Sequence, residues 1–266
     1  MTTKRATEDT SSTAVERTLQ ILEAVARRGP MTNSELSRRL EIPKSSASYI
    51  LRTLEQHGYL RREAGTGRYR LGLKLLSFTH GALAGLDIRE IALPLLRQLV
   101  ERSHLTVHLA ILDHGEAVYI EKVDAPGFVK MDTWVGRRLP VNATAVGKTL
   151  LAWLPQPEVE AIIKLHGQHG LKKMTSKTIT THAAFLRELE KVRAKGYAVD
   201  DEENSPGVRC LAAPVFDSLG QVAASVGVSG TTTQNDRAHL PKVAEMVKAT
   251  TRKISQQLGW RGSGHE

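Results

Sequence analysis

The sequence predicts an α+β protein of two domains joined by a helical linker. Three observations lead there. Three helical patterns and two short β-type segments follow one another within roughly the first seventy residues. Past Gly85 the pattern changes to mixed helix and strand. In that second part the strands fall into two sequence-adjacent groups around helices, which suggests an antiparallel sheet covered by helices and not an alternating parallel fold.

Residues 1–10 read as a disordered polar tail, with Lys4, Arg5, Glu8 and Asp9 where a signal peptide would be apolar. A cytoplasmic protein is expected on that ground. From Ala14 to Arg28, Val15, Leu19, Leu22, Val25 and Ala26 recur at helical spacing, and Gly29-Pro30 ends the helix. Thr32 with Glu35 forms a capping box for a short second helix carrying Leu36 and Leu40. After Glu41-Ile42-Pro43 a third helix runs from about Lys44 to Gln56. Two β-type segments, Tyr59–Arg62 and Arg68–Leu71, flank Glu63-Ala64-Gly65-Thr66-Gly67, whose glycines favour a hairpin. Helix, helix, helix, hairpin is the order of a winged helix-turn-helix, assigned here to residues 11–73.

Residues 74–86 are expected to form the linker helix, with Leu75, Leu76, Phe78 and Leu83. Residues 87–260 form the second domain. Ile88–Arg102 reads as a helix kinked at Pro94, and Thr106–Leu112, Ala117–Val123 and Phe128–Trp134 as strands. Helices follow at about Ala143–Trp153, Pro157–Lys164 and His182–Lys195. Strands return at Tyr197–Asp200, Val208–Phe216 and Gln221–Val228, before a last helix from about Asp236 to Leu258.

Composition bounds the function. The 266 residues are 41% hydrophobic and 24% charged. No run of 18 or more apolar residues occurs, so no membrane span is expected. The single cysteine, Cys210, rules out an internal disulfide framework. The net charge of +9 points towards a polyanionic partner. Residues 1–73 hold 13 Lys and Arg against 8 Asp and Glu, and the rest holds 24 against 20, so the excess is densest at the N-terminal end.

The third helix carries the chemistry. With Ala47, Ile50, Leu51 and Leu54 turned to a small core, the opposite face presents Ser45, Ser48, Tyr49 and Arg52, with Lys44 and Ser46 at the N-terminal end. Short hydroxyls allow close approach to DNA, and an arginine can grip guanine with two hydrogen bonds. The hairpin adds Arg61, Arg62, Arg68 and Arg70. Strand alternation puts Arg68 and Arg70 on one side, within reach of phosphate or a minor groove. These residues together predict a reader of double-stranded DNA.

At Val15–Leu22, Ile42–Ser46, Leu51–Leu54 and Gly67–Gly72, and again at Leu139–Lys148, Asp200–Glu203 and Gly207–Val215, the sequence resembles the IclR family of bacterial regulators. The motifs stand in the family's order over nearly the whole chain. The resemblance implies a homodimer, often assembled into a tetramer, on a near-palindromic operator. It also implies a GAF/PAS-like C-terminal domain that binds a small-molecule effector, commonly a carboxylate. Carried over by position, the effector residues are Ala145, Val146, Asp200, Val208, Cys210 and Ser229. Gly227 stands where some members have serine, and Asn142 where many have histidine.

Other signals are weaker. Val146-Gly147-Lys148-Thr149 suggests a P-loop, but Asn142 replaces the glycine that motif needs. A metal held by Cys210 with Asp200, or by His166 and His169, has only loose spacing behind it. No metal or cofactor is expected. Asp200-Asp201-Glu202-Glu203 reads as a charged strand end, and Trp134 and Trp153 as core or interface residues. An effector-controlled DNA-binding repressor or dual regulator of a catabolic operon is the expected function. The alternative, a small-molecule hydrolase or transferase using the second domain with the N-terminal module for regulation, lacks a nucleophile–base motif.

Overall fold

The computed structural model describes residues 14–78, 87–127, 130–165 and 171–262. The chain divides into two compact units, Met1–Gly85 and Leu86–Glu266. The expected polar tail, the linker helix from residue 79 onward, and His166 and His169 lie outside the described residues.

The first unit opens with α1 (Ala14–Arg28), which buries Ile21 and Val25. Val15 and Leu19 of the expected stripe stay exposed, whereas Ile21, outside that stripe, is buried. Helix α2 (Asn33–Leu40) starts on the expected capping box: the Thr32 side chain accepts the Glu35 amide, and the Glu35 carboxylate accepts the Thr32 amide at 2.7 Å. It stops at Glu41, which adopts a left-handed φ of 53°. Helix α3 (Lys44–Gln56) buries Ala47, Ile50, Leu51 and Leu54. Strands β1 (Leu60–Arg62) and β2 (Tyr69–Leu71) form the antiparallel wing, with Arg61 opposite Arg70 and Arg62 opposite Tyr69. Gly72 closes the hairpin by donating to the Tyr59 carbonyl at 2.7 Å, and a Cβ there would meet the Gly58 oxygen at 2.0 Å. Leu36, Ile42, Leu60 and Tyr69 complete one apolar cluster with the buried faces of α1 and α3.

The second unit begins with α4 (Asp87–Ser103), which holds Pro94 inside it. Strands β3 (Thr106–Asp113), β4 (Glu116–Val123) and β5 (Arg138–Leu139) follow. Then come α5 (Ala145–Ala152), α6 (Gln156–Leu165) and α7 (His182–Lys195). The unit ends with β6 (Ala198–Asp201), β7 (Val208–Phe216), β8 (Val222–Thr231) and α8 (Leu240–Gln257). The sheet order is β5-β4-β3-β8-β7-β6 with every neighbouring pair antiparallel. Strands β7 and β8 are buried at consecutive positions, so both faces of the sheet are covered. Helices α4 and α8 pack together, while α5 packs on α7 and on β6, β7 and β8.

The strand expected at Phe128–Trp134 does not form among its described residues. Residues 130–134 are irregular, and β5 forms later at Arg138–Leu139. The backbone there is tied to a side chain: the Lys122 ammonium donates to the Met131 carbonyl at 3.0 Å and the Thr133 carbonyl at 2.9 Å. No helix among the described residues is long and apolar enough to cross a membrane.

Candidate functional site

Helix α3 carries its polar equipment on the face away from the core. Lys44, Ser45, Tyr49 and Arg52 are exposed, Ser46 and Ser48 half-exposed. Tyr49 is 72% exposed, far more than a tyrosine kept for packing. Pro43 caps the helix without a side-chain hydrogen bond, so the amides of the first turn point outward, where phosphate is favoured. The Asn33 side chain donates to the Lys44 carbonyl and ties α2 to this end.

The wing arginines divide by position. Arg61 and Arg70 face each other across the hairpin, both exposed. Like charges directly opposite destabilise a ladder unless an anion lies between or beside them. Arg62 lies over the Tyr69 ring at 5.8 Å. Arg68 departs from expectation. It precedes β2 instead of belonging to it, so alternation does not pair it with Arg70. Its guanidinium folds back, donating to the Pro30 carbonyl at 2.8 Å and bridging Glu35 at 3.0 Å.

The second candidate site is a small cavity under α5. Register puts Asp200, Cys210 and Ser229 in one row across β6, β7 and β8. The neighbouring row contains Gly227 opposite His108. Thr144 caps α5 by accepting the Gly147 amide, which brings Ala145 and Val146 over these rows. The cavity encloses about 20 Å³, room for roughly one water. It is lined by Ala145, Val146, Asp200, Cys210 and Ser229 as the resemblance implied, and by His108, Tyr119, Thr144, Asn204 and Gly227. Val208 is not among them. It sits one row beyond Cys210, half-buried opposite Thr231.

Burial sets the protonation of this cavity. It pushes the Asp200 carboxyl up to about 7, although the Glu203 and Asn204 amides donate to Oδ1 at 2.7 and 3.2 Å. It pushes the Cys210 thiol and the Tyr119 hydroxyl up as well, and holds His108 down at about 3. His108 stacks on Tyr119 at 4.2 Å, and its Nε2 meets the Thr133 hydroxyl at 2.8 Å. Around neutral pH the imidazole, thiol and phenol are uncharged. Among the described residues, no lysine or arginine lines the cavity.

The Gly-Lys-Thr stretch has a structural cause. A Cβ on Gly147 would meet the Val141 Cα at 2.4 Å, so glycine permits the helix to approach that strand end. Lys148 is wholly buried and donates to Glu203 at 2.5 Å and to the Val199 carbonyl at 2.9 Å. It cannot serve a phosphate. Gly227 is explained similarly: a Cβ there would lie 2.8 Å from Val146 Cγ1. Trp134 is exposed beneath the Arg137 guanidinium, whereas Trp153 packs edge-on against Phe216.

The family model for the bacterial transcriptional regulator IclR C-terminal domain matches residues 80–256, and that for the IclR helix-turn-helix domain matches residues 14–64. The chain belongs to the IclR family. Among its relatives, the HTH-type transcriptional regulator XynR of Escherichia coli is 36% identical over 93% of this chain and 97% of its own length. The regulator KdgR of the same organism is 36% identical over 94% of each. The crystal structure of the Thermotoga maritima IclR superposes with a TM-score of 0.74 at 32% identity, covering 92% of this chain and 98% of that one. This IclR-family member is a helix-turn-helix transcriptional regulator, with a DNA-binding domain followed by the family's C-terminal domain. Its relatives are named as regulators and not as enzymes.

Proposed function

We propose that this regulator represses, or both represses and activates, a catabolic operon in the cytoplasm, and that a small carboxylate bound under α5 controls it. Residues 11–73 read DNA, 74–86 transmit, and 87–260 sense. Lys44, Ser45, Ser46, Ser48, Tyr49 and Arg52 form the base-reading and phosphate-facing surface, and Arg61 and Arg70 meet the backbone beside it. The cavity carries the effector half of this reading. It offers amides at the α5 N-terminus and neutral hydrogen-bond donors from Ser229, Cys210 and Tyr119, a setting for an anion without a counter-cation. Asp200, Ala145 and Val146 complete that shell.

A homo-oligomer is the working form. Two half-sites need at least a dimer. Val15 and Leu19 of α1, with Leu73, Leu76 and Phe78, leave apolar surface uncovered in the single chain. A thermal-shift screen of small organic acids against the full-length protein tests the effector reading, because a specific ligand raises apparent stability by mass action. A hit must also change the affinity for a duplex selected by the protein from a random-sequence pool. Acids that stabilise nothing, or that stabilise without altering DNA binding, refute it.

A further inference from the structure

Glu35 does two things with its two oxygens. Oε2 accepts the Thr32 amide at 2.7 Å and the Thr32 hydroxyl at 3.0 Å, which completes the cap of α2. Oε1 accepts the Arg68 guanidinium at 3.0 Å. Arg68 uses its other terminal nitrogen on the Pro30 carbonyl at 2.8 Å. One residue further along, Tyr69 and Met31 exchange backbone hydrogen bonds of 2.7 and 3.0 Å. The end of the wing's turn is therefore held at the start of α2 by side chain and backbone together. The Thr32 hydrogen bonds, with Arg68 adding to them, hold the Glu35 carboxyl below its ordinary range, so it stays charged down to acid pH.

From this geometry we infer that Arg68 is not a DNA contact but a positioning residue. With Glu35 it latches the wing to α2, so that the opposed Arg61 and Arg70 are held where they meet phosphate. The latch suits the task. Arg61 and Arg70 repel each other across a hairpin of three-residue strands, and such a hairpin is marginal by itself. A bidentate clamp on the adjoining turn opposes that splaying, and it lets the capping box and the wing move as one body. The inference rests on the reading that Arg61 and Arg70 face DNA, and the test separates the two.

The test uses the full-length protein and a duplex it selects from a random-sequence pool, with affinity followed against salt. Glu35→Gln is the informative variant, because glutamine also completes a capping box and the helix start is kept. Removing an acidic charge beside DNA strengthens binding on electrostatic grounds alone. The latch requires the opposite: affinity falls about three- to tenfold, and the slope of log affinity against log salt shrinks as the wing cations let go. Arg68→Gln is the second variant and lies outside the α2 cap. In an Arg61→Ala/Arg70→Ala background neither change should weaken binding further or flatten the salt slope, because the cations that the latch positions are gone. Should Arg68→Gln still flatten the salt slope by about 0.9 in that background, with Glu35→Gln neutral or favourable, Arg68 touches phosphate and the latch is wrong. If Arg61→Ala/Arg70→Ala alone leaves the slope unchanged, it is the reading of those two residues that fails.

Discussion

Asp200 is the place where the second unit's stability should depend most directly on pH. Its side chain is 2% exposed, and burial raises its carboxyl from an ordinary 3.8 to about 7. An unfolded chain releases this proton near 3.8, whereas the folded chain keeps it to about 7. Between those values the unfolded state binds fewer protons, so the Asp200 contribution to stability falls as pH rises and levels off above 7. A separation of roughly three pH units corresponds to about 4 kcal/mol. Asp200→Asn removes the titration while leaving an oxygen to accept the Glu203 and Asn204 amides. The stability of the wild type minus that of the variant should therefore drop by up to about 4 kcal/mol from pH 4 to pH 8. Denaturant unfolding followed by tryptophan fluorescence measures it, because Trp134, Trp153 and Trp260 all belong to the second unit. Parallel profiles for the two proteins would show that the carboxyl is not held protonated by burial.

Other perturbations have clear signs. Arg52→Ala should cost about 1–3 kcal/mol of sequence-specific affinity and little of the affinity for mixed-sequence duplex, as read by competition binding. Lys148→Ala strands Glu203 inside the unit without its cation and should cost about 3–5 kcal/mol in denaturant unfolding. Gly227→Ser places a Cβ 2.8 Å from Val146; it should cost about 1–3 kcal/mol by overpacking, and Val146→Ala should relieve most of that. His108 is held at about 3 by burial, so the fold loses stability as pH falls from about 6.5 towards 3. His108→Gln should remove that acid-side loss in the same unfolding assay.

The first unit was more legible than the second because its signals are local. A capping box lies within four residues, Pro43 marks the start of α3, and Ala47, Ile50, Leu51 and Leu54 recur at helical spacing. The start of the second wing strand differs from expectation for a local reason too. Counting Arg68 into the strand gives it the alternation of Arg70, whereas β2 begins at Tyr69 and the turn before it carries the guanidinium back to α2. The cavity was out of reach of periodicity. His108 comes to it because β3 pairs with β8, a partner more than a hundred residues away, and nothing near position 108 encodes that pairing. Asp200, Cys210 and Ser229 entered through resemblance, and the register then placed them in one row. The irregular backbone at 130–134 depends on where the Lys122 ammonium ends, which no strand pattern contains.

The size of the cavity bears on how such a sensor could act. At about 20 Å³ it admits one water and no organic acid. Val146 fills the space that Gly227 leaves free, and α5, on which Val146 sits, is buried along its length. A carboxylate needs more room, which movement of Val146 or the first turn of α5 away from the sheet would supply. Such a ligand necessarily binds the opened arrangement better than the closed one, and that difference in affinity is what a population shift requires. The opening also breaks packing, so the observed affinity is lower than the intrinsic one by the fraction of molecules already open. Val146→Ala, which empties the space over Gly227 in advance, should therefore tighten the binding of any carboxylate effector. If it weakens binding in proportion to lost contact area, the cavity opens by some route that does not involve Val146.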